Sequence, residues 1–151
     1  MTDVNTIDEL LAGSHRSLAR LQAVIASLDD RALGQPTPSG WSVAATLAHL
    51  AFYDDWVSER WRRCLATGEL QDLPDDITEL ANVAGTRGWQ AIDPEMAKII
   101  AVDAAEAVVD FLGTLPRAAL EQAIDTGRYA MIDRSVHWDP HLDEIERASH
   151  R

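Results

Sequence analysis

The sequence predicts an all-α protein, a four-helix bundle with long crossover connections. Three observations point there. Apolar residues recur three and four positions apart over long stretches, no stretch alternates long enough for a strand, and prolines and glycines gather between the periodic segments. At 151 residues the chain can bury a hydrophobic core without staples, and it reads as a single domain over residues 1–151.

The first helix is expected from Thr6 to about Leu28. Its stripe is Ile7, Leu11, Leu18, Leu21, Ile25 and Leu28, with Ser14 filling the gap. The segment "DDRALGQPTPSG" then stops it. A second helix should run from Ser42 to Thr67 and end on Gly68, a left-handed cap. It has two apolar faces. Val43, Leu47, Leu50, Val57 and Trp61 form one, and Ala45, His49, Phe52, Tyr53 and Trp56 form the other, available to line a pocket or meet a second subunit.

Residues 69–94 read as the least regular part, with a short helix over Ile77 to Val83 and a pliable end at Gly85 and Gly88. Asp93 as N-cap and Pro94 at the first helical position open the next long helix, whose expected stripe is Met96, Ile100, Ala104, Ala107 and Phe111. Asp103, Glu106 and Asp110 give it a solvated acidic side. A short "PRAALEQAI" helix and a last helix from about Asp133 to Ala148 complete the order.

Composition narrows the function. Hydrophobic residues at 46% and charged residues at 25% are ordinary for a folded globular chain. The net charge of -12, with basic residues scattered, would repel phosphate backbones and argues against a nucleic-acid partner. The acidic start "MTDVNTIDELL" lacks the layout of a signal peptide, and no apolar run approaches the roughly 20 residues that span a bilayer. A cytoplasmic protein with no membrane partner is the expectation. The single cysteine, Cys64, excludes an internal disulfide and a cysteine-based zinc cage, and its place beside Trp61 reads as packing.

Of five histidines, His15 and His150 read as surface or terminal residues. In "HWDPH", His137 and His141 stand four apart, about 6 Å along a regular helix axis, so both rings can face one ion. They need a third ligand from another element, and His49 on its aromatic face is the natural one. Three neutral imidazoles with an open position suit zinc, and also nickel or iron. On the residues alone the plainer alternative stays open. The glutamate of HExxH is absent, and a lone helical histidine among aromatics is more often a hydrogen-bonded core residue. Pro140 adds a second ambiguity: either Asp139 caps a helix that begins at Pro140, or a longer helix passes through the proline with a kink. No Glu-x-x-His, Gly-x-Ser-x-Gly, P-loop or dinucleotide fingerprint occurs, and no catalytic residue is identified.

"GWSVAATLAHLAFYDDW", residues 40–56, resembles the Trp-Ser-x-x-x-x-x-x-His-Leu helix of the DinB-like superfamily, which includes the N-terminal domain of mycothiol-dependent maleylpyruvate isomerase. "HWDPHLDEI", residues 137–145, is similar to that family's closing His-x-x-x-His-Leu-x-x-Ile helix. The resemblance implies a metal triad of His49, His137 and His141, and a bundle that is commonly a homodimer. It implies a divalent metal, often zinc, and a low-molecular-weight thiol such as mycothiol or bacillithiol, in transferase or isomerase reactions on a small electrophile. The metal would favour the thiolate, which is the nucleophile. Tyr53, Trp56 and Trp138 are the expected pocket residues, with aromatic core as the plain alternative for Tyr53 and Trp56. Asp54 falls on the bundle-facing stripe and should have an arginine or hydrogen-bond partner, in a structural role. Two other functions remain: a non-catalytic metal or small-ligand binding protein of a stress response, and a dimeric helical scaffold whose histidines are remnants.

Overall fold

A computed structural model describes residues 4–151, so the first three residues of the acidic start lie outside it. The chain is all-α, with α1 Val4–Ala26, α2 Asp30–Leu33, α3 Val43–Thr67, α4 Ile77–Ala91, α5 Pro94–Thr114, α6 Arg117–Asp125 and α7 Ser135–Ser149, plus one 3-10 turn at Tyr129–Met131. Among the described residues there is no strand, only an isolated bridge between Pro36 and Ser42.

The expected caps close as written. The Ser42 side chain accepts from the Ala45 amide at 3.0 Å, and Gly68, at φ 83°, turns its N–H back to the Cys64 carbonyl at 2.7 Å. Asp93 accepts from the Met96 amide at 3.0 Å ahead of Pro94.

Four long helices close a ring of contacts: α3 on α5, α5 on α1, α1 on α7, and α7 back on α3. Side-chain pairs fix the directions. Asp8 meets Arg117 just past α5, and Gln22 meets Glu106, so α1 and α5 are antiparallel. Ser14 lies at the start of α7, and Arg20 reaches Asp139, Asp143 and Glu146 further along it, so α1 and α7 are parallel. Asp54 pairs with Arg134 while the earlier His49 meets the later His141, so α3 runs against α7. α3 and α5 therefore share a direction, and the connection between them, carrying α4, must return along the molecule.

Two elements differ from the sequence-based expectation. α4 does not stop at Val83 but runs through both glycines to Ala91. A Cβ on Gly85 would sit 2.5 Å from Cζ2 of Trp89, so the bare glycine is what lets that indole fold back over the helix. Burial of Trp89 against Trp41 and His49 outweighs a glycine penalty of about 1 kcal/mol. On α5 the buried seam is Ala97, Ala101, Ala104, Ala105, Val108, Val109 and Leu112, about 100° round from the expected stripe, and Met96 is exposed. Small residues face α3 and let the two backbones approach, whereas the larger Met96 and Ile99 look outward.

Pro140 lies inside α7. The helix therefore passes through the proline, which leaves the Val136 carbonyl without its usual helical donor.

Candidate metal centre

α3 sorts its two faces. Val43, Leu47, Leu50, Val57 and Trp61 enter the main core, while Ala45, Ala48 and Tyr53 form a second cluster with Trp89, against which Trp41 and Trp56 pack. His49 belongs to the second side and is only 4% exposed, its ring 4.7 Å from Trp41, 4.9 Å from Tyr53 and 5.0 Å from Trp89.

α7 brings the other two imidazoles to it. The His137 and His141 ring centroids lie 5.0 and 4.8 Å from that of His49 and 5.1 Å from each other. His49 Nε2 and His137 Nε2 are 3.0 Å apart, and one potential ligand nitrogen from each of the three residues lies within 4.8 Å of the others. A tetrahedral zinc with bonds near 2.0–2.1 Å spaces its ligands by roughly 3.4 Å. The His49–His137 gap is already close to that, and the widest gap must shrink by up to about 1.4 Å.

The electrostatics favour neutral rings, the form that ligates metal. Burial lowers His49 from 6.5 to about 3, and the charge of His141 adds to it. Burial, then Arg134 and the other two imidazoles, takes His137 down to about 2. Burial also lowers His141, against an upward pull from Glu144.

Nδ1 of His49 and Nδ1 of His141 are buried without a hydrogen-bond partner, as is Oε2 of Glu144. Three neutral imidazoles with one nitrogen each already within 4.8 Å of the others make a donor set that fits an ion. Glu144 Oε2 stands 3.8 Å from His141 Nδ1, placed to orient that ring once the gap closes. Asp139 and Asp143, nearer in sequence, are instead engaged by Arg20 of α1 on the outer side.

His137 is held differently. Arg134 Nη2 is 3.3 Å from its Nδ1, while Arg134 Nε donates to Asp54 Oδ1 at 2.9 Å. The Trp138 indole N–H donates to Asp54 Oδ2 at 2.9 Å. Burial pushes Asp54 up to about 6, opposed by Arg134 and Trp138, so it remains ionised at neutral pH. The arginine expected for Asp54 is thus Arg134.

A cavity of about 620 Å³ opens on the three imidazoles, with Trp41, Tyr53, Trp56, Arg60, Asn82 and Arg134 among its walls. Of the expected pocket residues, Tyr53 and Trp56 line it and Trp138 does not. Trp138 is fully buried behind the site because its N–H is committed to Asp54. The Tyr53 hydroxyl sits 3.0 Å from the Thr78 carbonyl and 2.7 Å from Asn82 Oδ1, tying α4 to α3. Sequence reasoning missed Glu144, Arg134, Trp41 and Trp89. Glu144 was findable, since i and i+3 share a helix face. Arg134 and the two tryptophans reach the site only through tertiary packing.

The fold and site define a class: a helical protein in which two helices converge three histidines on one cavity. The model of the DinB superfamily matches residues 14–145, and the chain belongs to that superfamily. No curated protein and no solved structure matches it.

Proposed function

We propose that the chain is a single-domain, cytoplasmic, homodimeric protein that holds a divalent ion, zinc first, on His49, His137 and His141. Its reaction is then a low-molecular-weight-thiol-dependent transfer to, or isomerisation of, a small electrophile, with mycothiol or a similar thiol as cosubstrate. The observation that carries this is the convergence on one cavity of three imidazoles held towards their neutral form, His49 buried and His137 and His141 partly buried.

When bound, the ion supplies the positive charge that lowers the pKa of a nearby thiol and favours the thiolate. The protein's own residues do the rest. Arg134 sets the ring of His137, Glu144 sets that of His141, and Trp41, Tyr53 and Trp89 wall His49 against water. Trp56 offers an aromatic face to whatever enters. No helix among the described residues is long and apolar enough to cross a membrane, which agrees with this reading.

A second reading, a non-catalytic metal or small-ligand binding protein, is favoured by one observation. Among the described residues no carboxylate lines the cavity, so apart from the imidazoles these offer no general base near neutral pH. Metal analysis of protein purified without chelators tests the ion: bound metal in the wild type and its loss in His49→Ala is the expected result, and no metal in either sinks the metal-dependent enzyme and leaves only small-ligand binding. Conjugation assays with mycothiol, bacillithiol and glutathione separate the enzyme from the binding protein.

A further inference from the structure

Arg60 lines this site. It follows His49 by eleven positions on α3, which at 100° per residue returns it to the same face about 16 Å further along the axis. Its Nη1 reaches the Met131 sulfur at 3.2 Å and its Nη2 the Gln71 carbonyl at 2.9 Å, leaving further N–H groups free to donate. Among the described residues no carboxylate pairs with it. Burial lowers the Arg60 pKa, and repulsion from the neighbouring Arg128, itself engaged by Asp72, adds to it. An uncompensated, half-buried guanidinium in a chain of charge -12 calls for an anion.

The surroundings suggest its shape. Beyond the main cavity lies a second one of about 400 Å³, and Arg60 and Trp56 form the wall common to both. Phe52 and Leu73 give the second chamber apolar wall, and Asp55 and Glu59 line it beside the two arginines. Its other arginine, Arg63, is engaged by Glu59. A planar group with one acidic end would lay its apolar body on Trp56 and meet the guanidinium fork end-on.

We propose that Arg60 binds a carboxylate, so that the molecule entering this cavity carries an acidic group at the end away from the histidines. The inference deepens the function proposed above, and the carboxylate could belong to the thiol or to the electrophile.

Calorimetric titration with two matched pairs tests it: trans-cinnamate against cinnamamide for an acceptor without a thiol, and N-acetylcysteine against its amide for the thiol. In the wild type, at least one carboxylate should bind about tenfold or more tightly than its amide, and the pair that shows this names the source. R60Q should lose the preference. R60K, with a point charge but no fork, should keep part of it, and serves as the reporter should R60Q not fold. Equal binding within both pairs in the wild type, or a wild-type preference in R60Q, overturns the proposal. Repeating the titrations on zinc-loaded and chelator-treated protein separates the two ideas. A preference that vanishes with the zinc yet survives R60Q assigns the carboxylate to the ion and overturns the role of Arg60. An Arg60-dependent preference in protein that never binds zinc upholds the inference and removes the metal reading.

Discussion

Arg134 Nε lies 2.9 Å from Asp54 Oδ1, with the two side chains 4% and 0% exposed, so one ion pair locks the middle of α3 to the start of α7 out of reach of water. The same arginine touches His137, and the same aspartate accepts from Trp138. Support for the site and stability of the fold are one network.

Removing one member should therefore cost far more than a surface pair would. Asp54→Ala strands a buried guanidinium, and urea denaturation should show a loss of about 3–5 kcal/mol. Asp54→Ala combined with Arg134→Met removes both charges and should recover a large part of that. A double variant as unstable as Asp54→Ala alone would mean that Asp54 matters for its packing and not for the charge it balances.

Gly85→Ala tests how α4 is attached. The new Cβ would stand 2.5 Å from the Trp89 ring, which is wedged between the helix and His49, so the indole must leave. A destabilisation of about 1–3 kcal/mol is expected, the cost of overpacking. The tryptophan emission of the folded variant should shift to the red. An unshifted spectrum with full stability would show that the indole has another seat.

Helix positions and caps were legible in the sequence because they are local. Ser42, Gly68, Asp93 and Pro94 act within a few residues of themselves, and the wide apolar stripe of α1 cannot be satisfied in more than one way. The metal candidates were legible as well, since His137 and His141 share a helix and His49 stood on an aromatic face. The extent of α4 was not: Gly85 is a poor helix former until Trp89 folds over it, and that contact is worth having only once Trp41 and His49 lie beyond. The seam of α5 was misread because alanines face α3 there, where close backbone approach counts for more than side-chain size. Trp138 looked like a pocket residue from its place between two histidines, but Asp54 holds it on the core side of α7.

Acid should weaken the metal-free protein in a defined window. His49 and His137 are held below the ordinary value of 6.5, at about 3 and about 2, so the unfolded chain takes up their protons first as the pH falls. Stability from these two groups is complete above about pH 6.5 and drains away towards pH 3. Asp54 works in the opposite sense. Its folded pKa of about 6 lies above the ordinary 3.8, so its contribution is largest below that value and is lost as the pH rises through 6. Two imidazoles outweigh one carboxyl, and Tm of chelator-treated protein should be level above about pH 7 and fall steadily below 6.5. His49→Ala should flatten the slope. A Tm unchanged down to about pH 5 would mean the rings are protonated in the folded state too.

The contact between Glu144 and His141 yields the sharpest test of the metal site. Glu144 Oε2, buried and unmet on a side chain 25% exposed, stands 3.8 Å from an unmet Nδ1. If it orients the ring, Glu144→Gln should weaken zinc binding by about 10–100-fold, the usual effect of removing a carboxylate that steadies a ligating histidine. His49→Ala, His137→Ala and His141→Ala should each weaken it further, because each removes a ligand instead of its support. Glu146, two residues on, pairs with Arg20 on the outer side, so Glu146→Gln alters charge equally without touching the site and should bind zinc as the wild type does. Competition against a chromophoric chelator measures all five variants on one scale. Equal affinities for Glu144→Gln and Glu146→Gln would show that the Glu144 carboxylate has no hold on His141, and that the ring is fixed by packing alone.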